Sequence, residues 1–325
     1  MKKLKIEMNE LVPFIAFFII FVFFAIASEG RMLSSYNLRT ILEQSMVTII
    51  AGSGVMFVVA QGSIDLSVGV TLALAGVLAS QVAESTGIAI LIIPVAMVIG
   101  LLVGILNGYI VSKFKVQSFM VTISMLIGIR GVVNYIQTIV SVDSLPASLK
   151  IINAFPVKVT LFIIIMAIMF FLFEYTKLGK YSKAIGENET TVKFVGVPVS
   201  RMKIVAFAIS GFMAGVAAIF VMASLGGTST TMGVFFEMQV AMAIYLGGVL
   251  VTGGTSAKMY KLILGSLTIT IIGNGLALIG MASSEISESV EGILLLVILF
   301  FTIYANDKKK KASKKLAEVC ETTTA

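Results

Sequence analysis

Apolar runs alternate with short polar stretches along nearly the whole chain. The runs cover residues 11–27, 41–60, 66–82, 88–111, 118–140, 159–173, 204–225, 238–251, 262–281 and 292–304. About 20 helical residues cross a hydrocarbon core of roughly 30 Å, so each run predicts one membrane span. Ten spans define an all-α, polytopic membrane fold. A polar, basic lead over residues 1–10 precedes the first. Ala25-Ile26-Ala27 looks like a signal-peptidase site, but the run is long and more spans follow, so it reads as an uncleaved first span.

The longest polar interruption is 174–203, which carries six cations: Lys177, Lys180, Lys183, Lys193, Arg201 and Lys203. Short loops rich in Lys and Arg stay on the cytoplasmic side. Within it, Gly186 is expected to break the chain. Asn188 or Glu187 would cap a short helix through Thr190–Val195, and Gly196 with Pro198 would stop it. A short helix shown to the cytoplasm invites a cytoplasmic partner. The remaining polar stretches read as external loops at 31–39, 141–156 (with Asp143, Pro146 and Pro156), 226–236 and 282–291, and as a break at 61–65.

Composition agrees with this pattern. The 325 residues are 58% hydrophobic and 13% charged, which leaves no room for a separate soluble domain. Residues 1–315 read as one transmembrane permease-like unit, with 316–325 a disordered cytoplasmic tail. The net charge of +7 raises nucleic acid as a partner, but nineteen of the 24 cations fall in five segments that are all cytoplasmic if both termini are inside. That is the orientation rule of a plasma-membrane protein, not a nucleic-acid footprint. There is no His and one Cys, Cys320, so His triads, zinc-His sites and internal disulfides are excluded. No cofactor or metal is expected.

Small residues recur at spacing four, in Gly100-x3-Gly104-x3-Gly108 and Gly211-x3-Gly215, a pattern that lets helices approach closely inside a subunit or across a dimer. The stretches 58–69 and 221–233 resemble one another, and both lie where one span breaks and the next begins. An odd span offset would make the halves inverted, as in many transporters.

A few polar residues sit in apolar surroundings. Asp65 stands just before a span, where it caps the helix or serves a proton relay; with no ionisable neighbour in sequence, capping is the preferred reading. Arg130 lies inside a span, where it binds a substrate oxygen, takes carbonyls at a helix break or pairs with Glu237. Asn107, Asn134, Gln137 and Asn274 line a hydrophilic pathway or bond between helices. Gly248–Thr255 approaches a phosphate loop but lacks the lysine and the strand–loop–helix setting, so no ATP hydrolysis is expected of this chain.

Four ordered motifs resemble the ribose/xylose-type sugar permeases, membrane subunits of ABC importers. They are Ile64-Asp65-Leu66-Ser67-Val68-Gly69; Gly104-Ile105-Leu106-Asn107-Gly108 with Val116, Phe119, Thr122 and Arg130-Gly131; Leu178-Gly179-Lys180-Tyr181 with Ala184-Ile185-Gly186-Glu187-Asn188-Glu189 and Gly196-Val197; and Leu246-Gly247-Gly248 with Gly253-Gly254 and Gly273-Asn274-Gly275-Leu276. Val249-Leu250 replaces the family's usual Thr-Ser. The resemblance implies a type II importer permease that pairs with a second, identical or similar permease subunit in the membrane lipid. It implies a cytoplasmic ABC ATPase docked on the central loop at Ala184, Ile185, Gly186, Glu187, Asn188, Glu189 and Gly196. Gly186 is then a docking hinge where a side chain would clash with the partner or strain the turn. An extracytoplasmic solute-binding protein would deliver a simple sugar. Permeases for a nucleoside, a branched-chain amino acid or a signalling sugar share this plan. An ion-coupled secondary transporter lacks support, because intramembrane acids are not clustered.

Overall fold

The computed structural model describes residues 8–139, 145–281 and scattered positions between 283 and 300. Among them are ten α-helices: α1 (Met8–Ala27), α2 (Ser35–Ala60), α3 (Val68–Thr86), α4 (Ile92–Phe114), α5 (Ser118–Ile139), α6 (Phe155–Glu174), α7 (Lys177–Phe194), α8 (Val199–Leu225), α9 (Phe236–Leu246) and α10 (Met259–Leu278). Seven spanning candidates are long and apolar enough to cross a membrane: α2, α3, α4 with the short turn before it, α5, α6, α8 and α10. The tenth expected span, 292–304, the 316–325 tail and Asp143 lie largely or wholly outside the described residues.

Local chemistry sets the helix ends. The Ser34 hydroxyl accepts from the Asn37 amide at 3.3 Å and opens α2. Pro156, expected in a loop, sits in the first turn of α6, where its missing N–H costs nothing. Gly87 and Gly226, at φ 70° and 79°, close α3 and α8 in the left-handed conformation that a Cβ disfavours.

Helices α2 and α8 form the centre, with 78% and 72% of their most apolar stretches buried. A helix that is apolar all round belongs inside. Around them α4, α5 and α6 show most of their surface, and α1 packs on α10, where the Phe24 ring fills the space above Gly275. The glycines at spacing four serve the inside of the subunit. A Cβ on Gly100 would land on the Gly211 carbonyl, one on Gly211 on the Gly100 carbonyl, and one on Gly215 on the Ala96 carbonyl. Helices α4 and α8 therefore touch backbone to backbone.

Two expectations are corrected here. The span at 238–251 is a helix only over α9, 11 residues or about 16 Å long, about half a hydrocarbon core. Non-helical chain at 226–235 leads into it. Gly186 does not break α7, which runs through it; the non-helical residue is Asn188, at φ −162° and ψ 98°. Its side-chain oxygen accepts from the Thr191 amide at 3.0 Å, so Asn188 caps the short second segment, and Gly196 at φ +83° ends it.

Candidate functional site

Two places gather the polar chemistry. The first is the bed of α7. The Gln61 amide donates to Ser182 Oγ at 3.0 Å and to the Met202 carbonyl at 3.1 Å, joining the end of α2 to α7 and α8. Lys183 pairs with Glu174 Oε2 at 2.5 Å, while Glu174 Oε1 accepts from the Met259 amide at 3.1 Å, at the start of α10. Glu187 Oε1 accepts from the Thr255 amide at 2.8 Å and its hydroxyl at 2.6 Å. Ile185 and Val192 are buried with Val199 and Met202. A Cβ on Gly186 would strike the Ala60 carbonyl and stand 2.5 Å from the Gly254 amide nitrogen. The space that Gly186 keeps clear is thus filled by its own chain. What α7 turns outward is its far end, where Phe194 is 86% exposed and Val195 74%.

The second place is where α3 and α9 begin. A Cβ on Gly69 would overlap Glu237 Oε2, and one on Gly233 the Gly69 carbonyl, so the two helix starts meet. Asp65 is buried, and its Oδ1 accepts from the Ser67 amide at 3.0 Å and hydroxyl at 2.7 Å. Its Oδ2 accepts from Ser210 of α8 at 2.7 Å. Asn107 of α4 donates to Ser67 Oγ at 2.7 Å. Asp65 therefore fixes the turn entering α3, whose first helical residue is Val68, and pins it to α4 and α8. Arg130 of α5 donates to the carbonyls of Met232 and Gly233 at 3.0 and 2.8 Å, satisfying non-helical backbone that enters α9. Gln137 does the same for the Ser229 carbonyl at 3.0 Å. Among the described residues, Asn107 Oδ1, Gln137 Oε1, Glu237 Oε2 and Asn274 Oδ1 are buried without a hydrogen-bond partner.

A family described as "Branched-chain amino acid transport system / permease component" matches residues 37–301. The chain belongs to this permease family. A ribose import permease of Haemophilus influenzae is 31% identical over 84% of this chain and 87% of its own. A ribose import permease of Bacillus subtilis is 28% identical over 94% of each. A xylose transport system permease of Haemophilus influenzae is 25% identical over 95% of this chain and all of its own. No solved structure matches. This permease is a multi-pass membrane protein and a component of a binding-protein-dependent transporter, not itself catalytic.

The permease brings Asp65, Ser67 and Asn107 into one network, and Arg130 and Glu237 to one junction. Asn134 stands apart, exposed on α5, and Asn274 lies half-buried on α10. Of the residues expected to couple, Glu187, Asn188, Glu189 and Gly196 are exposed, Ala184 and Gly186 half-buried and Ile185 buried. Sequence reasoning missed Lys158, which is 2% exposed. Its ammonium donates to Ser224 Oγ at 2.8 Å and Asn153 Oδ1 at 3.3 Å, with Glu43 at 3.5 Å. A lysine at the end of an apolar run looks the same in sequence whether it is sealed or snorkels to water.

Proposed function

We propose that this permease carries a simple sugar of the ribose or xylose kind, between two permease subunits, along the exposed face of α5. The observation that carries the reading is the character of that face. Ser124, Gly128, Gly131, Asn134, Tyr135 and Thr138 are all exposed and recur at helical spacing, so they form one stripe, interrupted by the apolar Ile127. On α6, equally peripheral, the exposed residues from Ile163 to Phe171 are all apolar. Lipid accepts the α6 face. Ser124 and Thr138 donate to carbonyls of their own helix, at Met120 and Tyr135, whereas the side chains of Asn134 and Tyr135, facing outward from a span, need water or a protein partner. The curated relatives that import ribose and xylose supply the substrate class.

In this reading the α7 end is cytoplasmic, as are both termini, and an ABC ATPase meets the outward end of α7 at Phe194, Val195 and Glu189. Rigid attachment at Ser182, Lys183 and Glu187 carries its movement to α2, α10 and the 254–256 turn. A solute-binding protein delivers the sugar on the opposite side. The breaks before α3 and α9 are the matching points of an inverted repeat, and residues 1–315 form the one permease unit.

The test is uptake of labelled ribose, xylose, fructose and leucine by cells making the permease with its ATPase and binding protein. Asn134→Leu with Thr138→Val should lower sugar uptake at least tenfold at unchanged permease level, about the effect of 1.4 kcal/mol on a barrier. Uptake of leucine without any sugar would instead follow the family description and overturn the sugar reading.

A further inference from the structure

A cleft of about 910 Å³ opens beside the last turn of α7, between the α2–α3 break, the α4–α5 corner and the start of α8. Four cations line it: Lys115, Lys193, Arg201 and Lys203. Its one acid, Glu189, is paired with Lys203 at 2.8 Å. Among the described residues, no carboxylate is paired with Lys115, Lys193 or Arg201. The backbone adds to the same field. The first turns of α5 and α8 both form walls of the cleft, and α8 starts behind Pro198 with no side-chain cap. The N–H groups of those turns present partial positive charge to it. The walls also bind each other: Ser118 Oγ takes the Ile64 amide at 3.0 Å, and Ser112 Oγ donates to the Ser200 carbonyl at 3.0 Å. Phe119 is in the lining, 46% exposed, and Phe114, next in the chain to the lining residue Lys115, is 65% exposed.

We propose that this cleft is a binding site for a phosphate group, presented by the headgroup of an anionic phospholipid whose tails lie along Phe114 and Phe119. Basic pockets between membrane helices at the inner face suit such headgroups, and each Lys or Arg near the surface contributes about 1 kcal/mol. Placement in the inner leaflet rests on the orientation proposed above; phosphate binding does not. The site joins Lys193 and Glu189 of α7 to the chain entering α3, so an occupied cleft braces the end of α7 against the break that holds Asp65.

The full-length permease is reconstituted in nanodiscs of phosphatidylcholine with phosphatidylglycerol, released into detergent, and its retained lipids are counted by native mass spectrometry. Lys193→Gln with Arg201→Gln removes two cleft charges at exposed positions. Lys177→Gln with Lys180→Gln removes two exposed charges on α7 outside the cleft. Retained phosphatidylglycerol should fall roughly 25-fold in the first variant, about fivefold for each cation, and hold in the second. In a parallel arm, inorganic phosphate is titrated at constant ionic strength onto delipidated permease, with the thermal midpoint read. A saturable rise lost in the cleft variant, without lipid retention, keeps the phosphate site and assigns it to a soluble phosphate compound. Equal lipid retention in both variants with no phosphate-specific rise overturns the proposal. Both readouts are independent of uptake, so failure of the sugar reading leaves the result intact.

Discussion

The α4–α8 seam and the α3–α9 junction both bring backbone against backbone at glycine, and they differ in everything else. Along the seam, Gly100 and Gly104 face Gly211 and the Phe207 carbonyl between two unbroken helices, whose amides and carbonyls are already paired within each helix. At the junction, Gly69 and Gly233 meet where two helices begin, and Asp65, Arg130 and Gln137 must satisfy the backbone from outside. The seam is complete in itself and acts as a strut. The junction depends on borrowed partners and leaves Glu237 Oε2 without one, so its groups can be re-paired when neighbours shift.

The sharpest way to break this contrast is Gly211→Val. The new Cβ would overlap the Gly100 carbonyl and stand 2.8 Å from the Gly104 nitrogen, with no flexible side chain to give way. Loss above about 4 kcal/mol is expected, read as disappearance of the monodisperse peak in detergent size-exclusion. A folded variant would mean that the strut can part.

A middle-sized effect is expected at the junction. Asp65→Leu removes the acceptor for the Ser67 amide, the Ser67 hydroxyl and the Ser210 hydroxyl, a loss of about 3 kcal/mol at about 1 kcal/mol for each group left buried and unpaired. Asp65→Asn keeps Oδ1, which accepts two of the three bonds, and should lose about a third as much, measured as a smaller drop in thermal midpoint. Equal drops would show that charge, not hydrogen-bond acceptance, holds the turn.

The smallest effect should be at the end of the seam. Ser112→Ala deletes the hydrogen bond from the last turn of α4 to the first of α8, at an exposed site, and should change stability by less than about 0.5 kcal/mol. A fall like that of Asp65→Leu would show that the seam leans on side chains after all.

Much of this contrast was legible in the sequence, and the part that was not has a common cause. Apolar runs located nine helices and missed only that α9 is half-length, because the Gly/Thr-rich chain before it carries no charge to mark its depth. Spacing four among glycines announced close helix contact but not the partner, since a missing side chain says nothing about what lies above it. Gly186 was read as a chain break for the same reason: the groups its missing side chain makes room for, at Ala60 and Gly254, are far off in the chain. Asn188 was readable as a cap because its target, Thr191, is three residues away. The partner of Asp65 on α8 lies 145 residues on and left no local trace.

Glu174 has a consequence of a mechanical kind. One of its oxygens holds Lys183 and the other the amide that opens α10. A carboxylate is planar and has no joint between its two oxygens. The last residue of α6 thus ties the middle of α7 and the head of α10 to one rigid group, and three helices share a single pin.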